Sequence, residues 1–357
     1  MNDNIRVIAM YLPQFHPFIE NDNWWGKGFT EWTNVTKAKP LFRGHNQPHL
    51  PADLGFYDLR LEEARIAQAK LAKDYGIYGF CYYHYWFSGV RLMNRPLDDM
   101  LKSKNPDFPF MLCWANETWS RRWLGEEKEI LIKQEYNLED DVKQINWLYD
   151  NVFCDSRYIK IYDRPAFLIY RPQDLPNYKK TIQQFNDIAE KKGLARPFII
   201  GSNSHTGSLE GVDQIMNFEP QLNLLPEAFN DNTSFRKRLR NLKLKIISSK
   251  LKVYDYTKVK KLMASRIFDY KHFPCVFVGW DNTARRGKNG IIIHNQNKEI
   301  FKESLVNAVE VIKHNPSDEK IVFINAWNEW AEGNHLEPCR KFGHDFLNAI
   351  KEVFIGK

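Results

Sequence analysis

Long apolar runs are missing from this chain. None approaches the roughly 20 residues that a helix needs to cross a bilayer, so no membrane-spanning segment is expected. Cysteine is sparse: Cys81, Cys113, Cys154, Cys275 and Cys339 are scattered, odd in number and without CxxC or Cys/His spacing. That pattern excludes a zinc site and a disulfide framework, and the thiols read as reduced. The opening MNDNIRVIAMYLPQFH has no basic stretch leading into an apolar core and a cleavage site, so no signal peptide is expected and the chain reads as cytoplasmic. No G-x-G-x-x-G follows the first apolar run, and no acidic pair of the D-x-D kind sits in a suitable loop. Dinucleotide binding and metal-assisted use of a sugar nucleotide therefore lack a signature, and neither a cofactor nor a metal is called for. No segment repeats and no Ser/Gly- or Pro-rich linker divides the chain, so one domain over residues 1–357 is expected.

Excess charge is also missing from most of the chain. The net charge is +7, but Arg236–Lys261 holds 11 Lys/Arg against Asp255 alone, which leaves about −3 for everything else. A near-neutral body with one basic block and no accompanying nucleic-acid motif argues against a nucleic-acid partner. Leu239, Leu242, Leu244, Ile246, Ile247, Leu251 and Val253 lie between the charges. The block reads either as a solvated helix or as a patch that holds the chain peripherally on the anionic inner membrane.

What is present is aromatic: 14% of residues, with 11 Trp. Eight short apolar runs recur at Ile5–Tyr11, Ile77–Tyr83, Phe110–Trp114, Ala166–Tyr170, Phe198–Ser202, Gln214–Phe218, Val276–Trp280 and Ile321–Ala326. Helical patterns alternate with them at Arg60–Tyr75, Leu138–Val152, Tyr178–Lys192, Lys298–Lys313 and Asp345–Val353. Near-continuous apolar strands alternating with helices predict an α/β fold, a single (β/α)8 TIM-type barrel. Two stretches are too long for plain connections, 16–53 after the first strand and 222–273 after the sixth, and long βα loops build the active face of a barrel.

The richest segment is Ile321–Pro338, IVFINAWNEWAEGNHLEP. A buried strand runs straight into Glu329 and Glu332, three apart and interleaved with tryptophans. Paired carboxylates beside flat aromatic faces suit glycosidic-bond chemistry, in which one group donates a proton and the other attacks or activates. Glu329 and Glu332 are therefore the catalytic candidates. The other strand ends offer Tyr11 and His16, then Tyr83, His84 and Trp86, then Trp114, Asn116 and Glu117, then Trp280 and Asp281, and finally Asn325 and Trp327. With Trp25 from the first insertion, these are the candidate substrate contacts, aromatics for ring faces and Asn, Asp, Glu and His for hydroxyls. Any one of them suits packing equally well; their convergence on strand ends is the functional signal. Glu219, followed by Pro220, reads as structural.

Long stretches of the chain now identify a resemblance. IAMYLPQFHPFIENDNWWGKGFTEWTNVTKAKPLFRGHNQPHLPADLGFYDLR, GIYGFCYYHYWFSG, PFMLCWANETWSRRW and INAWNEWAEGNHLEP resemble the WbsX-like family, close to glycoside hydrolase family 99, the endo-α-mannosidases and endo-α-mannanases. The resemblance implies a (β/α)8 barrel acting on an oligosaccharide or lipid-linked glycan of a surface polysaccharide, O-antigen or capsule. It implies that Glu332 is the general acid/base. Glu329 would act as base on the sugar 2-hydroxyl, giving a 1,2-anhydro intermediate and net retention at an α-mannoside. A glycosyltransferase of lipopolysaccharide or capsule biosynthesis is the alternative, and a non-catalytic glycan-binding barrel is a third.

Overall fold

A computed structural model describes residues 5–120, 130–203, 209–229 and 251–356. Eight parallel strands form the centre: β1 (Arg6–Tyr11), β2 (Gly79–Phe87), β3 (Phe110–Trp114), β4 (Arg164–Ile169), β5 (Phe198–Asn203), β6 (Gln214–Asn217), β7 (His272–Phe277) and β8 (Ile321–Asn325). Each pairs in parallel with the next, and β1 pairs both with β2, Ile8 opposite Gly79, and with β8, Val7 opposite Val322. The sheet is thus a closed eight-stranded α/β barrel; seven strands fall on the predicted apolar runs, while β7 begins four residues before the predicted Val276–Trp280 and ends at Phe277. Such runs fit because both faces of a barrel strand are covered, by side chains filling the lumen and by the helical layer outside.

The outer helices include Glu62–Asp74, Arg95–Ser103, Leu138–Asn151, Tyr178–Lys191, Tyr256–Ala264, Lys298–Ile312 and Asp345–Phe354. Asn137, Asn177, Asp255 and Asn297 each accept a hydrogen bond from the backbone N–H three residues on, which satisfies an orphan donor at the helix start. Gly76 ends a helix with φ of +87°, a left-handed turn that favours glycine. At Gly79 a Cβ would meet the Pro109 carbonyl oxygen at 2.6 Å, so β2 and the chain entering β3 approach closely only without a side chain.

Both long connections are present. The first carries the short helices Ile19–Trp25 and Glu31–Lys37. Lys252–Asp255 of the second pairs with Ile291–His294, which also pairs with Trp280–Asp281. Residues 236–250 of the basic block lie outside the described residues. Within its described end, Lys260 turns inward, donates to the Phe277 carbonyl at 2.6 Å and lies 3.7 Å from the centre of the Phe277 ring. This lysine faces the interior, so the expected count of surface charges falls by one. Among the described residues no helix is long and apolar enough to cross a membrane.

Candidate active site

The chain leaves β8 through a short, heavily anchored turn. Asn325 donates to the Glu219 carbonyl at 2.8 Å, and the Trp327 N–H donates to the Met10 carbonyl at 2.8 Å. Asn328 takes the Leu12 N–H at 2.7 Å and returns a bond to the Leu12 carbonyl at 3.0 Å, which ties this turn to the exit of β1. Asn328–Glu329 then pairs antiparallel with Asn334–His335 around a single helical turn, Trp330–Glu332. Side chains alternate along the extended pair, so Asn328 faces the β1 exit and Glu329 faces the pocket. The helical turn brings Glu332 round to the same side. Trp330 is locked behind them: its ring stacks on His335 at 3.8 Å and its Nε1 donates to Glu337 at 2.6 Å.

One guanidinium joins the pair. Arg285 donates through one terminal nitrogen to Glu332 at 2.6 Å and through the other to Glu329 at 3.0 Å. The latter nitrogen and Nε also reach one carboxylate oxygen of Glu31, at 3.0 and 3.1 Å. Three carboxylates therefore share one buried cation. Burial, the largest cause, raises the proton affinity of Glu329 and Glu332 above the ordinary carboxylate range; Arg285 opposes this, and the neighbouring carboxylates reinforce it. For Arg285, burial works against the charge, but Glu31, Glu332 and Glu329 outweigh it and hold the guanidinium protonated.

Arg285 is itself delivered by an anchored turn. Asp281 accepts from the N–H and hydroxyl of Thr283 at 3.0 and 2.5 Å, and from His45 Nε2 and Gln47 at 2.7 and 2.9 Å. The Leu41 N–H donates to His45 Nδ1, which assigns the proton to Nε2. Although burial pushes the Asp281 carboxyl up, these bonds outweigh it and hold it below the ordinary value.

The carboxylates open into a pocket of about 1000 Å³, open solvent included, whose aromatic walls are Trp25, Tyr83, Tyr85, Trp119, Tyr170, Phe218 and Trp280. Burial keeps the phenols of Tyr83, Tyr85 and Tyr170 protonated far above neutrality, so they meet a ligand as hydroxyls. Glu117 lies on the wall, paired with Arg171 at 3.0 Å.

Of the residues singled out in the sequence, Trp25, Tyr83, Glu117, Trp280, Asn325, Glu329 and Glu332 line this pocket. Eight others do not, and strand alternation accounts for the clearest pair. Tyr83 and Tyr85 face the pocket, while His84 stacks on Trp147 and Trp86 donates to Asp140 at 2.9 Å on the opposite face. Tyr11 donates to Gln68 at 2.7 Å in the core. His16 is bonded to the Pro13 carbonyl, and burial lowers its pKa to about 4. Trp114 and Trp327 are fully buried, the latter against Phe80. Asn116 exchanges bonds with the backbone of Arg171, and Asp281 is the anchor just described. These are corrections to the expected substrate contacts: each side chain is consumed by packing or by a protein partner. Glu31 was not singled out for this site, although it sits inside the aromatic stretch WWGKGFTEW. Arg285 stands out in the sequence only as a basic residue near a strand end that could clamp a diphosphate, and nothing in its spacing marks it as the partner of Glu329 and Glu332.

Other proteins resemble this chain, some in sequence and some in fold. The chain is 38% identical over 352 residues to the uncharacterized protein WxcX of Xanthomonas campestris pv. campestris (strain B100), covering 97% of this chain and 49% of that protein. The same identity holds for WxcX of strain ATCC 33913. The chain thus spans about half the length of the curated relatives it matches. Among solved structures, a glycoside hydrolase-like protein superposes with a TM-score of 0.62 at 14% identity over 98% of this chain and 94% of that one. The GH99 endo-alpha-mannosidase from Bacteroides thetaiotaomicron superposes with a TM-score of 0.57 at 12% identity, over 98% and 96%. At such identities the likeness is one of fold. The family model described as glycosyltransferase WbsX matches residues 7–350, and on that whole-length match this chain belongs to the WbsX family.

Proposed function

We propose that this chain is a carbohydrate-active enzyme that cleaves or transfers glycosidic bonds with retention, at an α-mannoside-type linkage of a surface polysaccharide. The observation that carries the reading is the meeting of Glu329 and Glu332 in one aromatic pocket, under one guanidinium. The proton count supports it. With Glu332 protonated and Glu329 ionised, Glu332 donates to the glycosidic oxygen while Glu329 takes the proton of the 2-hydroxyl, whose oxygen attacks C1. The leaving alcohol departs and a 1,2-anhydro sugar forms. Afterwards Glu329 holds the proton and Glu332 is ionised. Water or an acceptor alcohol then opens the ring as both transfers run backwards. The pair carries one proton at both ends of each half-reaction, so the charge facing Arg285 is constant and the buried site needs no new counterion.

The test is incubation with α-mannosides and with lipid-linked or free surface oligosaccharides, reading the anomeric configuration of the product by proton NMR. Inverted product, or no reaction with any of them, would overturn the reading. A sugar-nucleotide transferase is the second reading, favoured by the description of the family. Against it, Arg285 is occupied by three carboxylates and is a poor diphosphate clamp. Micromolar calorimetric binding of a nucleoside diphosphate would favour the transferase. We further propose that Arg236–Lys261 holds the enzyme peripherally at an anionic inner leaflet. Sedimentation with anionic liposomes should then fall as salt shortens the Debye length from about 10 Å at 0.1 M to about 3 Å at 1 M.

A further inference from the structure

The Glu329–Glu332 pair is held by residues from two other βα connections. Glu31 begins a helix, Glu31–Lys37, inside the connection after β1, and Arg285 lies on the turn after β7. Glu31 is fully buried, its N–H donates to the Gln14 carbonyl at 3.1 Å, and the adjoining Trp32 donates to the Tyr57 carbonyl at 2.8 Å. Its carboxylate is thus fixed before it meets Arg285. A buried ion pair of this kind adds little net stability, because desolvating two charges costs as much as their attraction returns. Here the imbalance is greater: the network has three carboxylates and one guanidinium, which no stabilising ion pair requires.

Resting on the reading of Glu329 and Glu332 as the working pair, we infer that Glu31 and Arg285 are positioning residues. Glu31 grips Nε and one terminal nitrogen of Arg285, so the planar fork presents one N–H to Glu329 and one to Glu332. The two carboxylates are thereby held on one side of the pocket, and their shared proton is retained by the negative charge of Glu31 behind the guanidinium. The connection after β1 is then part of the proton-handling machinery as well as an aromatic wall. A planar five-donor group is required, since an ammonium offers no such fork.

The sign of the effect is fixed by Coulomb's law. Removing the Glu31 charge removes a repulsion felt by both glutamates and leaves the guanidinium more fully to them, so the pair must release its proton at lower pH. Replacing Arg285 by lysine loosens the compensation, and the pair must hold its proton to higher pH. The experiment is carbon-13 NMR titration of glutamate side-chain carboxyls in the full chain, with the pair assigned through Glu329→Gln and Glu332→Gln. Glu31→Gln is expected to lower the pair's titration midpoints by about one pH unit or more, the scale of a close like charge, and Arg285→Lys to raise them. Unmoved midpoints, or shifts of the opposite sign, overturn the inference; a merely structural role would lower thermal stability and leave the titration unchanged. If Glu31→Gln fails to fold, the midpoints of Arg285→Lys decide alone. The titration needs no turnover. A wild-type chain that cleaves no glycoside yet shows the expected shifts would sink the proposed reaction and leave this inference standing.

Discussion

Two buried acidic centres, one at the end of the seventh barrel strand and one at the end of the eighth, are joined through Arg285, and they are built on opposite plans. Asp281 receives four hydrogen bonds from Thr283, His45 and Gln47, and its proton affinity is pulled down. Glu329 and Glu332 share one guanidinium with Glu31, and their proton affinity is pushed up. The difference is one of donor supply. A carboxylate given enough donors is a fixed structural anion; buried carboxylates made to share one cation hold their proton above the ordinary carboxylate range.

The sharpest way to break this contrast is Glu332→Gln. On a competent glycan we expect turnover to fall by about 10²–10⁴-fold, the usual worth of a positioned acid or base, with binding retained by calorimetry. Undiminished turnover would remove Glu332 from that role. Trp327→Ala should act on stability instead, costing about 3–5 kcal/mol because a fully buried ring is replaced by a cavity, as read by urea denaturation. A stable variant with weakened glycan binding would return Trp327 to the substrate-contacting set. Asp281→Ala should cost about 2–3 kcal/mol of stability, since three side chains and a backbone N–H lose their acceptor; stability equal to wild type would show that the anchor is dispensable.

The pH dependence separates the two centres by sign. Burial raises Glu329 and Glu332 above their ordinary value of 4.5, so the folded chain keeps a proton that the unfolded chain has lost. Their contribution to stability is present below that value and is lost as the pH rises through the folded-state titration. Asp281 is lowered from 3.8, so its contribution is present above that value and is lost as the pH falls further. Glu329→Gln should flatten the neutral slope of denaturation free energy against pH, and Asp281→Asn only the acid slope. The reverse pattern would show that the two centres have been misassigned. The smallest effect on binding is expected at the pocket wall, where Trp280→Ala should weaken glycan binding of the folded protein by about 1 kcal/mol, in addition to the stability lost with a ring that packs on Phe277 and Ile293; unaltered affinity would take that ring out of the binding surface.

Much of the barrel was legible in the order of residues. Runs such as Ile321–Asn325 are apolar throughout and short, and Gly76 marks the end of its helix, so strand and helix identity follow from local chemistry. The pairing of Glu329 with Glu332 was legible for the same reason, being set within four residues. The direction of side chains at the strand ends was not. His84 and Trp86 look as functional as Tyr83 and Tyr85 in YYHYW, and only the registered sheet assigns them to opposite faces.

Sequence by itself determined that eight apolar strands alternate with helices, that two carboxylates stand three apart after the last strand, and that aromatics crowd the strand ends. Those are contacts and periodicities within a few residues, and local sterics and burial settle them. Tertiary structure alone decided that Glu31, 254 residues from Arg285 along the chain, grips the guanidinium that joins Glu329 and Glu332. It also decided that Asp281 is spent on His45 and Gln47. A charge acts through space over a few ångströms, and closure of the barrel, through the pairing of β1 with β8, is what brings these distant segments within that range.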